Sequence, residues 1–323
     1  MTKTKYGAVA ALIAGVCLAV SLGGAEKPQR EFALQANLDG FWSLFGRDAK
    51  LATVASGFGF TEGPVWDPEG FLYVSDEEAN KILRVSMDGR KEELVSLGDP
   101  DGNTYDRQQR LIDCASVLRA IIRVDRQGKY EILAERFEGQ RFNSPNDVVT
   151  GPDGALYFTD PTLDLPAGQK QELPFQGVFR LDASGNVALL TRELSQPNGL
   201  GFSPDGRRFY VDDSKQRNIR VYDLTPEHTL TNGRIFGEEP GEKGEGVPDG
   251  MKLDQAGNLY VTGPKGIWVW DPAGHHLGTV VLPEQPANLA WGQADYGTLY
   301  ITATTSVYRL RTRAHGFVPY LAK

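Results

Sequence analysis

Six oxygen-bearing side chains recur along the sequence at intervals typical of a structural repeat, and we call them the ring positions. Each is an Asp, Glu or Asn that stands ahead of a short apolar segment. The six are Glu62, Asp101, Asn146, Asn198, Asp249 and Asn288. If a repeated fold arranges them around one axis, their oxygens converge as ligands for a hard cation such as Ca²⁺, which takes about six to eight oxygens. The pattern predicts a cation site.

A simpler interpretation is that Asp, Asn and Gly are turn residues, and that a repeat reuses its turn chemistry. Turn chemistry does not explain Glu62, nor why every ring position offers a side-chain oxygen. The ring positions include no His or Cys, which argues against zinc or copper. The sequence has no Gly-x-Ser-x-Gly, His-Glu-x-x-His or Walker motif, and its four His residues lie in polar segments, so a serine-hydrolase triad is not predicted.

A short apolar strand follows each of these six side chains, so the strands recur at a similar period. They begin at Phe71, Arg110, Ala155, Arg208, Asn258 and Thr298, with starts 39, 45, 53, 50 and 40 residues apart. A second strand follows each copy, as in a hairpin. A β-only repeat of this length favours radial closure, which protects sheet edges. We predict an all-β six-bladed β-propeller of four-stranded antiparallel blades, with the six recurring strands innermost.

The predicted domain limits follow from the two ends of the sequence. Residues 50–54 have the pattern of a strand, which would complete the last blade beside the C-terminal strands and close the ring. We therefore predict a signal peptide over residues 1–25, an N-terminal extension over 26–49 and a catalytic propeller over 50–323.

The first 25 residues have the three parts of a secretory signal. Lys3 and Lys5 precede an apolar stretch over residues 6–22, and small residues follow before Glu26. A membrane anchor is the alternative, but an apolar stretch of 17 residues with two internal glycines is marginal for a span. We expect a periplasmic or secreted protein with no membrane contact after cleavage.

The composition disfavours anionic partners and disulfides. The 34 Lys and Arg against 42 Asp and Glu give a net charge of -8, and removing Lys3 and Lys5 leaves 32 against 42, or -10. Such a surface repels phosphate, so nucleic acid is not an expected partner. After cleavage Cys114 is the one cysteine left, and its apolar neighbours predict a core residue. We expect a monomer or dimer.

Six motifs follow one another through the sequence beyond residue 60. They are Glu-Gly-Pro-Val-Trp at 62–66, Arg-Phe-Asn-Ser-Pro-Asn-Asp at 141–147, Tyr-Phe-Thr-Asp-Pro at 157–161, Leu-Pro-Phe-Gln-Gly-Val at 173–178, Gln-Pro-Asn-Gly-Leu at 196–200 and Pro-Asp-Gly-Met at 248–251. In this order and spacing they resemble the gluconolactonase/regucalcin (senescence marker protein) family of six-bladed propellers, and exported bacterial gluconolactonases in particular.

The resemblance implies a lactone hydrolase with one divalent cation, most often calcium, at the mouth of the channel. The family's ligands fall here on Glu62, Asn146, Asn198 and Asp249, all of which are ring positions. The resemblance also implies that Asp249 is catalytic, as general base or as the carboxylate that orients water. A cation can polarise the lactone carbonyl and stabilise the oxyanion that forms.

Four residues are predicted to bind substrate. Arg141 is expected to donate a charge-assisted hydrogen bond to the lactone carbonyl or to sugar hydroxyls, and Asn143 to add a second hydrogen bond. Asp101 and Asn103 both lie where the second blade of the family often offers an asparagine near the channel. The expected partner is therefore a small lactone.

The segment after Cys114 departs from the family, because Ala-Ser-Val stands at 115–117 in place of the usual Glu-His-Gly-like sequence. Three hypotheses remain open at this point. The first is a calcium-dependent hydrolase of sugar lactones such as gluconolactone. The second is a hydrolase of another ester or an organophosphate on the same cation site, and the third is a non-catalytic binding propeller. The set of motifs favours the first.

Overall fold

A computed structural model describes residues 30–322, in which six antiparallel sheets of four or five strands surround a central channel. Three elements come before the first complete sheet. They are β1 (Ala33–Ala36), α1 (Phe41–Leu44) and β2 (Leu51–Ser56). Each sheet is one blade, and the innermost strands of successive blades contact one another in a closed circuit. The fold is the predicted all-β six-bladed propeller.

Blades one to three follow chain order from the channel to the rim. Blade one contains β3 (Thr61–Asp67), β4 (Phe71–Asp76), β5 (Lys81–Ser86) and β6 (Lys91–Ser96). Blade two contains β7 (Pro100–Tyr105), β8 (Leu111–Ala115), β9 (Ala120–Val124) and β10 (Tyr130–Ala134). A small hairpin of β11 (Arg136–Phe137) and β12 (Gln140–Arg141) leads to blade three. Blade three contains β13 (Val148–Thr150), β14 (Leu156–Asp160), β15 (Gly177–Leu181) and β16 (Val187–Thr191).

Blades four to six complete the circuit. Blade four contains β17 (Pro197–Phe202), β18 (Arg208–Asp213), β19 (Asn218–Leu224) and β20 (Leu230–Glu238). Blade five contains β21 (Met251–Leu253), β22 (Leu259–Gly263), β23 (Gly266–Trp270) and β24 (His276–Val281). Blade six contains β25 (Pro286–Gly292), β26 (Thr298–Ala303) and β27 (Ser306–Arg311), with β2 as its outer strand.

The two ends of the described chain close the ring, as predicted. Strand β2 pairs antiparallel with β27, so that Leu51 lies opposite Leu310. Strand β1 pairs with β24 and gives blade five a fifth strand. The part of the predicted extension that the structure describes thus adds a strand to blade five and the short helix α1. The predicted leader, residues 1–25, lies outside the described residues.

The six recurring strands are second in their blades, and the prediction that they are innermost was wrong. They correspond to β4, β8, β14, β18, β22 and β26, while the preceding segments line the channel. A second strand is buried on both faces by the neighbouring blades. In β4, Leu72 and Val74 pack towards blade six, whereas Tyr73 packs towards blade two. This double burial explains the strong apolar pattern that made these strands conspicuous.

The C-terminal segment 317–322 lies across the channel end opposite the ring positions. It contains a 3₁₀ helix, Pro319–Leu321. The Phe317 backbone N–H donates to the Leu253 carbonyl, and the Tyr320 ring packs edge-on against Tyr105. A cavity of about 50 Å³ remains between this segment and the inner strands. Within residues 30–322, no helix is both long and apolar enough to cross a membrane.

Candidate active site

The six ring positions lie around one mouth of the channel. Three of them are the second residues of β3, β7 and β17, two stand two residues ahead of β13 and β21, and one is the third residue of β25. The predicted arrangement around one axis is therefore present. It arises from the starts of the innermost strands rather than from turns ahead of them.

A glycine follows four of the ring positions, and each lies against the ring residue of the next blade. At Gly63, φ is +50°, and a Cβ atom would stand 2.2 Å from the Asp101 carbonyl oxygen. The other three glycines meet the next ring residue just as closely; they are Gly102, Gly199 and Gly250. Backbones can approach this closely only where a side chain is missing. The glycines in these motifs therefore let the ring pack, and simple turn chemistry does not account for them.

The hydrogen bonds at Glu62 occupy one oxygen of its carboxylate. Glu62 Oε2 accepts from the Gly63 backbone N–H at 2.7 Å and from Asn288 Nδ2 at 2.9 Å. No group of residues 30–322 donates to Oε1. Glu62 is 3% exposed, so its position is fixed by packing and by these two donors. One oxygen thus remains available as a ligand.

The two ring asparagines are oriented in the same way. Asn146 Nδ2 donates to Asp101 Oδ2 at 2.7 Å, and Asn198 Nδ2 donates to Ser214 Oγ at 3.1 Å. Because the amide nitrogens are occupied, each amide oxygen points elsewhere and, in the described part of the chain, receives no hydrogen bond. The Asp249 carboxylate lies beside Asn198. All four predicted ligands therefore keep at least one oxygen for a cation.

The carboxylates of the ring oppose one another's ionisation. Burial, together with repulsion from Asp147, raises the pKa of Glu62 to about 7. Burial and repulsion from Glu62 raise the pKa of Asp249 well above its ordinary value. Burial raises the pKa of Asp101, and the charges of Glu77 and Glu62 raise it further. A bound dication would relieve this repulsion, which is the electrostatic condition expected of a metal site.

The donor chemistry at the mouth fits a hard divalent cation. Among the residues that the structure describes, no three side chains of His, Cys, Asp or Glu converge as a metal-binding group. Carboxylates alone therefore do not make the site, and a cation there would need the amide oxygens of Asn146 and Asn198 as well. Mixed carboxylate and amide oxygens are ligands typical of Ca²⁺.

Further charged residues at the channel were not predicted. Glu77 and Asp164 lie on loops that follow β4 and β14, and Asp147 directly follows a ring position. Burial and the charge of Glu62 raise the pKa of Glu77 well above its ordinary value. Lys252, on β21, enters the channel from below the ring. Loop residues have no periodic signal, so only the spatial convergence of the blades reveals them.

Asp101 lies in the ring, whereas Asn103 is used between blades. Asp101 Oδ2 accepts from Asn146, so its carboxylate supports a predicted ligand. Asn103 is 4% exposed, and its Nδ2 donates to the Gly63 carbonyl and to Ser75 Oγ. The structure therefore places Asp101 at the predicted site, and Asn103 where it joins blade two to blade one.

Arg141 and Asn143 lie beside the loop 162–176, which we call the mouth loop. Arg141 Nη2 donates to the Leu118 carbonyl at 2.7 Å. Asn143 is fully buried, and its Nδ2 donates to the carbonyls of Asp160 and Phe175. In this arrangement both side chains bind the protein itself. A substrate role for them remains a prediction.

The mouth loop is held by Arg119, a buried arginine that the sequence analysis did not single out. Arg119 is 2% exposed; its Nε donates to the Phe142 carbonyl, and its Nη1 donates to Gln169 Oε1 at 3.1 Å. Glu172, on the same loop, accepts from the Arg141 backbone N–H at 2.9 Å. The loop is thereby fixed over blade three, next to the ring.

The segment that departs from the family pattern supports the ring. Ser116 Oγ lies 2.7 Å from the Pro145 carbonyl, to which it donates, and 3.4 Å from Asp101 Oδ2. Cys114 is fully buried in the cluster that contains Phe142 and Phe158, which confirms its prediction as a core residue. Ser116 thus positions the loop that carries Asn146.

A six-bladed propeller with a ring of oxygen-bearing side chains at one channel mouth defines the structural class of the protein. Comparison with known families gives a more specific assignment. Residues 60–305 match the family model described as the SMP-30/Gluconolactonase/LRE-like region, and the chain belongs to this family. The resemblance noted from the motifs is confirmed.

Individual relatives agree with this assignment. The chain is 35% identical over 300 residues to a gluconolactonase of Zymomonas mobilis, covering 82% of each protein. It is 31% identical over 251 residues to the pentonolactonase XacC of Haloferax volcanii, covering 75% of this chain and 80% of that one. A solved gluconolactonase from Xanthomonas campestris superimposes with a TM-score of 0.80 at 30% identity, covering 88% of this chain and 99% of the other.

Proposed function

We propose that this protein hydrolyses a sugar lactone to its aldonic acid, with a divalent cation, Ca²⁺, bound at the channel mouth. Glu62, Asn146, Asn198 and Asp249 are the proposed ligands. The observation that carries the proposal is the orientation of Glu62, Asn146 and Asn198, each of which keeps an oxygen without a protein donor, with the Asp249 carboxylate beside Asn198. The related lactonases of Zymomonas and Haloferax support the substrate class.

The residues at the mouth suit ester hydrolysis. A bound cation would supply Lewis-acid polarisation of the lactone carbonyl. Asp249, ionised in that state, accepts a proton from water while the water oxygen bonds to the carbonyl carbon. The ring C–O bond then breaks, and the ring oxygen takes up a proton to give the hydroxy acid. Asp101 and Ser214 hold the two asparagines by their amide nitrogens, so the ligand oxygens remain in place.

The direct test is hydrolysis of D-glucono-1,5-lactone by purified protein, followed with a pH indicator against an enzyme-free control. We expect EDTA to abolish turnover and Ca²⁺ to restore it. A phenyl ester and an organophosphate measured in parallel test the second hypothesis. Turnover of either one without any lactone hydrolysis would replace the proposed substrate class, and no turnover of any substrate by calcium-loaded protein would favour a binding role.

Two substitutions, with activity measured at saturating Ca²⁺, test the two carboxylates of the proposed site. Asp249→Asn is expected to lower kcat by at least about a hundredfold, the size typical of lost general-base catalysis. Glu62→Gln is expected to weaken calcium binding in titration calorimetry, because a charged ligand is lost. Asp39→Asn, an exposed substitution before α1, serves as the control and should alter neither quantity. Full activity of a folded Asp249→Asn protein would contradict the mechanism.

We also propose that the protein is exported, on the basis of the sequence of residues 1–25 alone. Cell fractionation with N-terminal sequencing of the mature chain tests this proposal. A mature N-terminus near residue 26 in the periplasm or medium is expected, and an intact Met1 in the cytoplasm would contradict it. Size-exclusion chromatography with light scattering tests the expected monomer or dimer.

A further inference from the structure

Lys252 brings a positive charge into the channel directly below the ring. It lies on β21, three residues after Asp249, and is half-buried among the residues that line the small central cavity. Trp66 and Trp291 contribute apolar walls to that cavity, and Tyr320 of the C-terminal segment closes it from below. Among residues 30–322, the one side chain that accepts a hydrogen bond from this ammonium group is Asn288 of the ring.

The ammonium group reaches the ring through Asn288. Lys252 Nζ donates to Asn288 Oδ1 at 3.2 Å, and Asn288 Nδ2 donates to Glu62 Oε2 at 2.9 Å and lies 3.5 Å from Asp147 Oδ2. Asn288 Oδ1 also accepts from the Leu289 backbone N–H at 2.9 Å. The backbone thus fixes the Asn288 amide independently of Lys252. What Lys252 alone adds to this network is its charge.

That charge acts on several crowded carboxylates. Its attraction acts on Glu62 and Asp147, the two carboxylates that the Asn288 amide nitrogen faces at 2.9 and 3.5 Å. Asp147 in turn repels Glu62 and Asp249. An ammonium group held below the mouth is therefore a permanent counter-charge for carboxylates that a dication would otherwise neutralise by itself.

We propose that the Lys252 ammonium group is a counter-cation for the ring carboxylates. It stabilises the metal-free protein and lowers the affinity of the protein for Ca²⁺. The inference deepens the proposed function and rests on it, since it assumes a cation at the mouth. The ammonium group and the dication repel each other while they share the same carboxylates, so removal of the lysine charge strengthens calcium binding. The same change leaves the carboxylates of the metal-free protein without a counter-charge.

Three substitutions at this position separate charge from hydrogen bonding. Lys252→Met removes both the charge and the donor, Lys252→Gln removes the charge but keeps an N–H donor, and Lys252→Arg keeps the charge. Calcium titration by calorimetry on EDTA-treated, desalted protein gives the affinity, and thermal unfolding of the same samples gives the metal-free stability. Neither measurement depends on turnover.

Lys252→Met and Lys252→Gln are both expected to bind Ca²⁺ more tightly by about tenfold, which corresponds to about 1.4 kcal/mol. Both should unfold at a lower temperature without metal, and Lys252→Arg should resemble the unsubstituted protein. Lys265→Met is the matched control, because Lys265 lies in the same blade but pairs with Glu245 at 2.8 Å and is 53% exposed. It should leave calcium affinity unchanged.

The outcomes distinguish this inference from the proposed function. Unchanged or weaker calcium binding by Lys252→Met, in a protein whose parent binds Ca²⁺, would overturn the counter-cation role alone. Restoration of the parent's affinity by Lys252→Gln would assign the effect to the hydrogen bond and would equally overturn it. Failure of the parent to bind Ca²⁺ would overturn both proposals, whereas calcium binding without lactone hydrolysis would affect only the proposed reaction.

Discussion

At the scale of single residues, the candidate site depends on glycines, which have no side chain, as well as on the residues that carry oxygen-bearing side chains. Glu62 can face the channel because Gly63 lets β3 approach the Asp101 carbonyl. The repeated pairing of a ring residue with a following glycine makes the spacing of the ring residues a property of backbone packing. A change at the glycine should therefore act on cation binding without touching a ligand.

Gly63→Ala is expected to destabilise the fold by more than about 1 kcal/mol and to weaken calcium binding, because its Cβ would clash with Asp101 in a left-handed backbone. Urea unfolding and calcium titration check the two effects. Gly70→Ala is the matched control, since φ there is +97° but a Cβ would meet nothing within 4 Å. It should cost stability through backbone strain alone. Equal calcium affinity in both variants would show that the close approach at Gly63 does not position the ring.

The ring positions could be predicted from sequence because a repeat places equivalent residues at equivalent heights around one axis. The same logic could not find Glu77 or Asp164, since these lie on loops whose lengths differ from blade to blade. Lys252 was also missed, because a lysine on an inner strand has no recurrence to mark it. Asn103 was predicted to face substrate, but its role as a donor between two blades depends on a contact that only the folded chain shows.

At the scale of elements, the second strands of blades one, three and four end in acids that accept hydrogen bonds from neighbouring loops. Asp213, at the end of β18, accepts from the backbone N–H groups of Ser195 and Gln196. Asp160, at the end of β14, accepts from the Asn143 N–H at 2.9 Å and is fully buried. Both acids therefore brace neighbouring loops through hydrogen bonds from backbone N–H groups. They also make the mouth loop sensitive to the protonation of Asp160.

Burial raises the pKa of Asp160 from its ordinary value of 3.8 to about 8. The folded protein therefore keeps a proton that the unfolded chain loses, and stability falls as the pH rises from about 4 to about 8. Asp160→Asn mimics the protonated acid, so its stability advantage should grow by about 1.4 kcal/mol per pH unit over this window. Urea unfolding at pH 5.5, 7 and 8.5 measures the trend. Asp39→Asn should run parallel to the parent, and a parallel course for Asp160→Asn would contradict the burial of a neutral acid.

The strands themselves were predictable because alternating or continuous apolar runs record burial on one or two faces. The order of strands within a blade was not, since β4 and its equivalents have a stronger apolar signal than the true inner strands. In an inner strand such as β3, a ring residue and a glycine occupy positions that would otherwise continue the apolar pattern. Hydrophobic periodicity therefore identifies the inner strands, which carry the candidate site, less clearly than the second strands.

At the scale of the whole molecule, the C-terminal segment 317–322 packs against the inner strands at the end of the channel opposite the ring positions. Phe317 and Tyr320 contact β21 and β7 respectively, and they bound the cavity that contains Lys252. The segment adds no strand to any blade. Its contribution to stability should therefore come from covering apolar side chains at the far end of the channel.

Removal of residues 317–323 is expected to lower the free energy of unfolding by about 1–3 kcal/mol, the scale of losing one or two partly buried aromatic contacts. Urea denaturation measures this change, and tryptophan fluorescence should report the exposure of Trp66 and Trp291. Leu321→Ala serves as a control within the same segment, because Leu321 is 42% exposed. An unchanged midpoint for the shortened protein would show that the segment rests on the channel without stabilising it.

The pairing of β2 with β27 has a consequence for how the protein is made. Leu51 and Leu310 meet only when nearly the whole described chain is available, so blade six cannot be completed while translation is under way. The five preceding blades can form local hairpins first, and the slow step is the final non-local pairing. Ring closure is therefore a post-translational step, because it needs the last strand of blade six as well as β2.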